Sequence, residues 1–303
     1  MATNRMVRRL LNLAPPVDIQ AGSTVWYFRR DRWALASLVF VVVLAVLAVL
    51  APWVTPYPDQ GRGEPDIMHK LKAPSQAHPL GTDSLGRDVL ARILFGARNS
   101  LSAGVVIVGV SIVVGSVLGA VAGYFGGWAD EVIMRITDIF LAFPPLLLAM
   151  TVAAVLQPNL KNAILAITLT WWPWYTRLAR AQTLSVRERD FVRAARGMGV
   201  NNLTIVMRHI VPNILTPILV QGTLDIGAAI ITLSSLSFLG LGVPPPTPEW
   251  GAMVRDGREY IQTGQWWVPS FPGLALFLTT MAFNLLGDGL QVATNPKTRG
   301  ETL

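Results

Sequence analysis

Long apolar windows alternate with short, arginine-rich segments along this chain. Residues 34–54 and 101–125 carry no charge at all. A helix needs about 20 residues to cross a hydrocarbon core of about 30 Å, so each window is long enough to span. Four further windows follow, at 136–156, 161–179, 213–240 and 271–291. The third is broken by Pro144-Pro145, and the fourth contains Pro173 within TWWPWYT. The pattern predicts an all-α integral membrane protein of about six transmembrane helices. In the fourth window the uncharged stretch is short, so Lys161 and Arg177 are expected to snorkel outward from its ends.

This reading divides the chain into a tail at 1–33, a first helix at 34–54, and an outer loop at 55–100 with a short helix. A five-helix core at 101–291 follows, with a polar loop at 185–212 and an outer loop at 241–270, and then a tail at 292–303. The first apolar run begins too late and runs too long for a cleaved signal peptide, and it reads as a retained anchor.

Composition supports the same class. Of the 303 residues, 52% are hydrophobic and 14% charged, where soluble domains carry about 25% charged residues. The arginines set an orientation. Arg5, Arg8, Arg9, Arg29, Arg30 and Arg32 precede the first span, and Arg177, Arg180, Arg187, Arg189, Arg193, Arg196 and Arg208 follow the fourth. Four spans separate the two groups, so both fall on the cytoplasmic side, with both termini inside and 243–270 outside. The net charge of +7 is thereby assigned to membrane topology, and no nucleic-acid partner is expected.

Several chemistries are excluded. With no cysteine, disulfides, thiolate metal sites and cysteine nucleophiles are absent. Lysine occurs at 70, 72, 161 and 297, never after glycine, so no phosphate-cradling Gly-Lys loop can form. His69, His78 and His209 make no His-Glu-x-x-His motif. The chain reads as non-enzymatic, with no catalytic residue, no metal ligand and no bound cofactor.

The most polar stretch, 187–213, lies between the fourth and fifth spans. Ser185 and Glu188 have the spacing of a capping box. Phe191, Ala194, Ala195 and Met198 form an i, i+3, i+4, i+7 apolar face. Gly197 and Gly199 permit a left-handed turn, and Asn201 or Asn202 can cap a second helix. There Leu203, Val206, Met207 and Ile210 repeat the face, and Pro212 and Pro217 mark entry to the next span. Two short amphipathic helices joined by a glycine elbow are expected. They lie on lipid headgroups or dock on a cytoplasmic partner. The small centre of the first face and the glycine elbow favour docking.

FVRAARGMGVNNLTIVMRHIVPN resembles the EAA loop of binding-protein-dependent ABC importer permeases. Ala194, Ala195, Gly199 and Pro212 stand in register with that signature, while Arg193 replaces its glutamate and His209 its frequent isoleucine. The segments HPLGTDSLGRDVLARILFGARNSL, DIFLAFPPLLLA, SLSFLGLGVPPPTPEWGAM and FPGLALFLTTMAFNLLGDGL are similar to the C-type permease subunit of dipeptide, oligopeptide and nickel importers. The resemblance covers residues 33–297. It implies a prokaryotic inner-membrane subunit, paired with a second permease, two cytoplasmic ATPase subunits that carry ATP and Mg, and an extracytoplasmic binding protein. Under it, Phe191, Ala194, Ala195, Arg196, Met198, Gly199 and Pro212 couple to an ATPase. The cargo that leads on family grounds is small peptides, with nickel chelates, glutathione and oligosaccharides open. A secondary transporter would instead show inverted repeats and several intramembrane charges; a scaffold would need no hinged docking segment.

Other positions carry two readings. Gly115, Gly119 and Gly123 form a small-residue stripe for close helix packing. Asp225 and Gln221 share a face, as a polar lining of the path or as hydrogen-bond partners of a neighbouring helix. Asp138 and Asp288 sit near span ends. Asp88 and Arg92 are spaced to pair on an outer-loop helix. Trp171, Trp172, Trp174 and Tyr175 read as an interfacial belt.

Overall fold

A computed structural model describes residues 28–294, and among them every regular element is a helix. In chain order these are α1 (Arg32–Val54), α2 (Pro58–Arg62), α3 (Val89–Phe125), α4 (Gly127–Leu141), α5 (Pro145–Val155), α6 (Leu160–Arg187), α7 (Asp190–Gly197), α8 (Asn202–Ile205), α9 (Val211–Phe238), α10 (Trp250–Gly257) and α11 (Trp267–Thr294). Short 3₁₀ turns lie at Ile67–His69 and Arg258–Ile261. Most of the tail at 1–33 and most of that at 292–303 fall outside the described residues.

Among the described residues four spans are long and apolar enough to cross a membrane: α1, α3, α11 and the run Asn202–Phe238 that contains α9. Counting the bent pair α4 and α5 as one raises the number to five. The sixth expected span lies on α6, which carries Arg177, Arg180 and Arg187 in its second half and does not qualify on composition. The expected window at 136–156 is also corrected. Its first limb begins at Gly127, and the two limbs meet at 85°. Pro144 is extended at ψ 124° and Pro145 takes the first turn of α5. A residue before proline is driven from the helical region, so the chain turns there rather than kinking.

The second span starts twelve residues before its expected position, because α3 begins at Val89 and runs for 37 residues. At 1.5 Å per residue it is about 55 Å long, so its first turns stand beyond the hydrocarbon core. Charge hides this portion from a hydropathy reading. Arg92 is buried, and its Nη1 donates to Asp83 (3.1 Å), which also accepts from Arg87 Nε (2.7 Å). Asp88 does not pair with Arg92. It caps α3 by accepting from Ala91 N (2.7 Å) and pairs with buried His78 (2.9 Å). The short helices of the outer loop are α2 and the 3₁₀ turn, both upstream of this position.

The core lies where α3, α6 and α9 meet, around Ile107, Ile167, Tyr175, Ile214, Ile218 and Leu233. Gly115, Gly119 and Gly123 all face α6. A Cβ on Gly115 would lie 2.8 Å from Trp172 O, one on Gly119 2.5 Å from Thr176 O, and one on Gly123 2.8 Å from Thr183 Cβ. The two backbones therefore touch along three turns, as small residues permit. A second, outer cluster gathers Val89, Ile93, Ile230, Trp250 and Phe283.

Candidate functional site

The loop between α6 and α9 is built from its ends inward. The expected capping box does not form: α6 continues through Ser185 to Arg187, and Arg189 stands at the N-cap of α7. Propagating an existing helix adds a hydrogen bond per residue without a new nucleus, so the span runs past the serine. Glu188 accepts instead from Arg193 (2.9 Å) and Arg187 (3.3 Å), which hold its carboxyl below its ordinary pKa.

The elbow is a Schellman closure. Val200 N–H donates to Ala195 O (3.1 Å) and Gly199 N–H to Arg196 O (3.1 Å), with Gly199 at φ +77°. This pattern needs a left-handed residue at that position, which glycine supplies at little cost. Val200 packs on the same core cluster as Ala195, the apolar contact that accompanies such closures. Gly197 ends α7 and has no positive φ.

The closure divides the loop into an inner and an outer face. Val192 and Ala195 are buried against the chain's own core, whereas Phe191, Ala194 and Met198 are exposed. The adjacent alanines thus part company: Ala195 packs inward and Ala194 looks out. Arg196 is exposed, and its guanidinium lies over the Tyr124 ring at 5.1 Å. The Tyr124 hydroxyl donates to Asn202 (2.7 Å), and Arg187 Nη1 donates to the carbonyls of Gly123 (3.1 Å) and Tyr124 (3.3 Å). The loop is clasped to the end of α3.

The second expected amphipathic helix is not separate. Asn201 caps α8 by accepting from Leu203 N (2.9 Å), but a π turn at Val206–Ile210 then feeds straight into α9. Pro212 lies in the first turn of α9 and Pro217 within it. A proline ring clashes with the carbonyl four residues earlier in a regular helix; the wider π register, closed by Val211 N–H on Val206 O, accommodates Pro212. Ile205, Val206 and Ile210 are buried, while Leu203 and Met207 are exposed, as Phe191 and Met198 are. The loop therefore exposes more large apolar side chains than either helix pattern alone.

Polar groups elsewhere join neighbouring helices. Tyr175 is fully buried, so it is no member of an interfacial belt; its hydroxyl donates to Asp225 Oδ2 (2.6 Å). Gln221 Nε2 donates to Asp225 Oδ1 (3.0 Å). Asp225 thus links α6 to α9 within this chain. Arg177 does not snorkel freely but pairs with Asp138 (2.6 Å), and Arg180 pairs with Asp130 through two bonds, one of 2.7 Å. These pairs tie α4 to α6. Replacing Tyr175 by phenylalanine leaves one Asp225 oxygen without its donor. The expected cost is about 1–3 kcal/mol, read as a lower thermal midpoint of the detergent-solubilised protein.

Glu249 escaped the sequence reading. It is fully buried, caps α10 by accepting from Gly251 N and Ala252 N (both 2.9 Å), and receives Ser234 Oγ (2.9 Å). Its signal was an acid directly before Trp250, itself fully buried with Nε1 on Ile93 O (3.1 Å). No group of three or more potential metal-ligating side chains is found among the described residues.

Residues 115–300 match the family described as the binding-protein-dependent transport system inner membrane component, and residues 20–74 match the N-terminal transmembrane domain of oligopeptide transport permease C. The dipeptide transport system permease protein DppC of Alkalihalophilus pseudofirmus is 40% identical, covering 94% of both chains. The glutathione transport system permease protein GsiD of Shigella sonnei is 44% identical, over 96% of this chain and 97% of that one. Among solved structures, the inward-facing MetNI methionine ABC transporter superposes with a TM-score of 0.55 at 18% identity, over 68% of this chain and 98% of the other; this likeness concerns the fold.

Proposed function

The chain belongs to the family of binding-protein-dependent transport system inner membrane components, and from that premise we propose that it forms half of the translocation path of an ATP-driven importer of small peptides. It is a multi-pass permease subunit of the inner membrane. The observation that carries the coupling role is the two-faced loop: Val192, Ala195 and Val200 anchor it, and Phe191, Ala194 and Met198 are offered outward.

The assembly comprises this chain, a second homologous permease, two cytoplasmic ATPase subunits and an extracytoplasmic binding protein. ATP and Mg sit on the ATPases, since this chain lacks a Gly-Lys loop and binds no cofactor. Both termini and the 185–212 loop face the cytoplasm. Closure of the ATPases moves α7, and the Tyr124 clasp passes that motion to α3 and α6, so that the path opens alternately to either side. Dipeptides lead as cargo because the relatives include dipeptide permeases at 40% and 42% identity; glutathione, a tripeptide, is the second reading, supported by relatives at 44%.

Purifying the tagged chain from its native membrane tests the assembly. Two ATPase polypeptides and a second permease are expected to co-purify, with hydrolysis stimulated by the loaded binding protein. The chain stripped of its partners is expected to hydrolyse no ATP. Single cysteines replacing Ser185 and Glu64, in a chain that has no native cysteine, are expected to label from the cytoplasmic and the outer side respectively. Labelling in the reverse sense overturns the orientation.

A further inference from the structure

We propose that the groove between α9 and α11 is a solute-contacting stretch of the translocation path, in which the Asn284 side chain pairs with a peptide bond of the passing solute. This rests on the importer reading above and adds to it where, and by which group, a peptide is held.

α11 has an outward stripe. Leu274, Phe277, Met281, Asn284, Asp288 and Gln291 are exposed at spacings of three and four, which places them on one face. The first half of that stripe is apolar and the second half polar. Asn284 lies within the apolar window 271–291, seven residues before Gln291, about 10 Å along the axis. That depth is inside a hydrocarbon core of about 30 Å. The Asn284 amide makes no hydrogen bond among the described residues. Exposed threonines and serines on the neighbouring span, such as Thr223, Thr232 and Ser235, each return their hydroxyl to a backbone carbonyl four residues earlier. Asn213 Nδ2 does the same on His209 O (2.7 Å), whereas Asn284 has no such bond among the described residues.

Lipid is a poor environment for such a group, because polar side chains within spans face protein or a water-filled cavity. The surface around Asn284 is concave. Ile231, Leu276, Phe277, Thr280 and Met281 line a groove of about 500 Å³ with it. That volume falls within the range of small-molecule sites, which combine apolar walls with a few polar groups. Thr280, one turn before Asn284, has a buried hydroxyl without a partner among the described residues, while the exposed Asn284 amide stands on the groove wall.

The chemistry of the amide narrows the ligand. Asparagine offers both a donor and an acceptor, matching the C=O and N–H of a peptide bond. The Phe277 and Met281 walls accept varied apolar side chains, since methionine adapts its shape. Asp288, one turn nearer the helix end and also exposed, places a carboxylate where a peptide's terminal ammonium can reach it. The groove therefore suits a short peptide over a sugar, whose hydroxyls would meet mostly apolar wall.

The test uses the assembled importer. Asn284→Cys supplies a single thiol, because the chain has none, with Val113→Cys on the exposed face of α3 as the lipid-facing control. A charged, membrane-impermeant thiol reagent is expected to label position 284 and not 113, and glycyl-alanine with the binding protein and ATP is expected to slow that labelling. Asn284→Leu is expected to lower dipeptide uptake about tenfold, the loss of one hydrogen bond to the solute, while Asn284→Gln retains more of it. No labelling at 284, normal uptake by Asn284→Leu, or failure of that variant to assemble with the second permease each overturns the inference. If the unmodified importer itself moves no peptide, the functional reading fails instead, and the two failures are distinct.

Discussion

Replacing Gly119 by leucine is expected to remove most of the protein from the membrane fraction. The position lies midway along the contact between α3 and α6. A Cβ there would stand 2.5 Å from Thr176 O and 2.7 Å from Ala179 Cβ and Arg180 N. Two of these atoms are backbone, so no side-chain rotation relieves the clash. Added methylenes in a well-packed interior cost about 1–3 kcal/mol where side chains can shift; here a whole helix has to move, and the cost is at the top of that range or beyond it. Moving α6 also strains the Tyr175–Asp225 bond and the Arg180–Asp130 pair. Alanine at 119 is expected to be milder than leucine yet still harmful. Gly109 is the control: a Cβ there meets nothing within 4 Å, so Gly109→Leu on the same helix is expected to leave abundance unchanged. The measurement is an immunoblot of membranes after mild expression, with detergent-resistant thermal melting of what remains. Equal abundance of the two leucine variants would show that α3 and α6 do not meet as described.

That contact was legible in the sequence because its signal is local. Three glycines four apart mark one helical stripe whatever the partner, and the partner needed only to be another span. The Gly199 hinge was legible for the same reason, since a positive φ is a property of one residue. Features that depend on distant residues were not. The start of α3 at Val89 was hidden because Arg92 reads as part of a separate short helix of the outer loop until Asp83 is brought beside it. Tyr175 read as a belt residue among tryptophans because its acceptor, Asp225, lies fifty residues away. Ser185 and Glu188 matched a cap whose pattern cannot report that the preceding helix is still running. Ala194 and Ala195 are adjacent on a helix that is buried on one side only, and periodicity placed both on one face about 100° apart without saying where the boundary falls. Asn284 passed unremarked within an apolar span because one amide hardly changes a hydropathy average, yet one unmet amide is costly in lipid.

Replacing Ala194 by arginine is expected to abolish importer turnover while leaving the subunit at normal abundance and paired with the second permease. Ala194 is exposed on α7 and has no role in the loop's own packing, whereas its neighbour Ala195 is 4% exposed and closes the elbow through Val200 N–H. A long charged side chain at 194 therefore leaves α7 folded and intrudes only into whatever covers the outer face. If that is a groove on an ATPase, the variant buries an unpaired charge there, a cost of several kcal/mol, and ATPase association falls by orders of magnitude. Arginine at 195 is a different experiment: it displaces the loop from the core, so loss of function there reports packing and not docking. Gly199→Val separates hinge from surface. It asks a β-branched residue to hold φ +77°, at about 1–2 kcal/mol or more, and it alters the angle of α7 without changing the outer face. Its expected result is partial: ATPases still co-purify, but substrate no longer stimulates hydrolysis fully. Co-purification and stimulated hydrolysis, measured on the same three preparations, distinguish these outcomes. Normal turnover by Ala194→Arg would mean that the outer face of the loop rests on lipid headgroups, where an added arginine is welcome, and the coupling surface would have to be sought elsewhere on the cytoplasmic side.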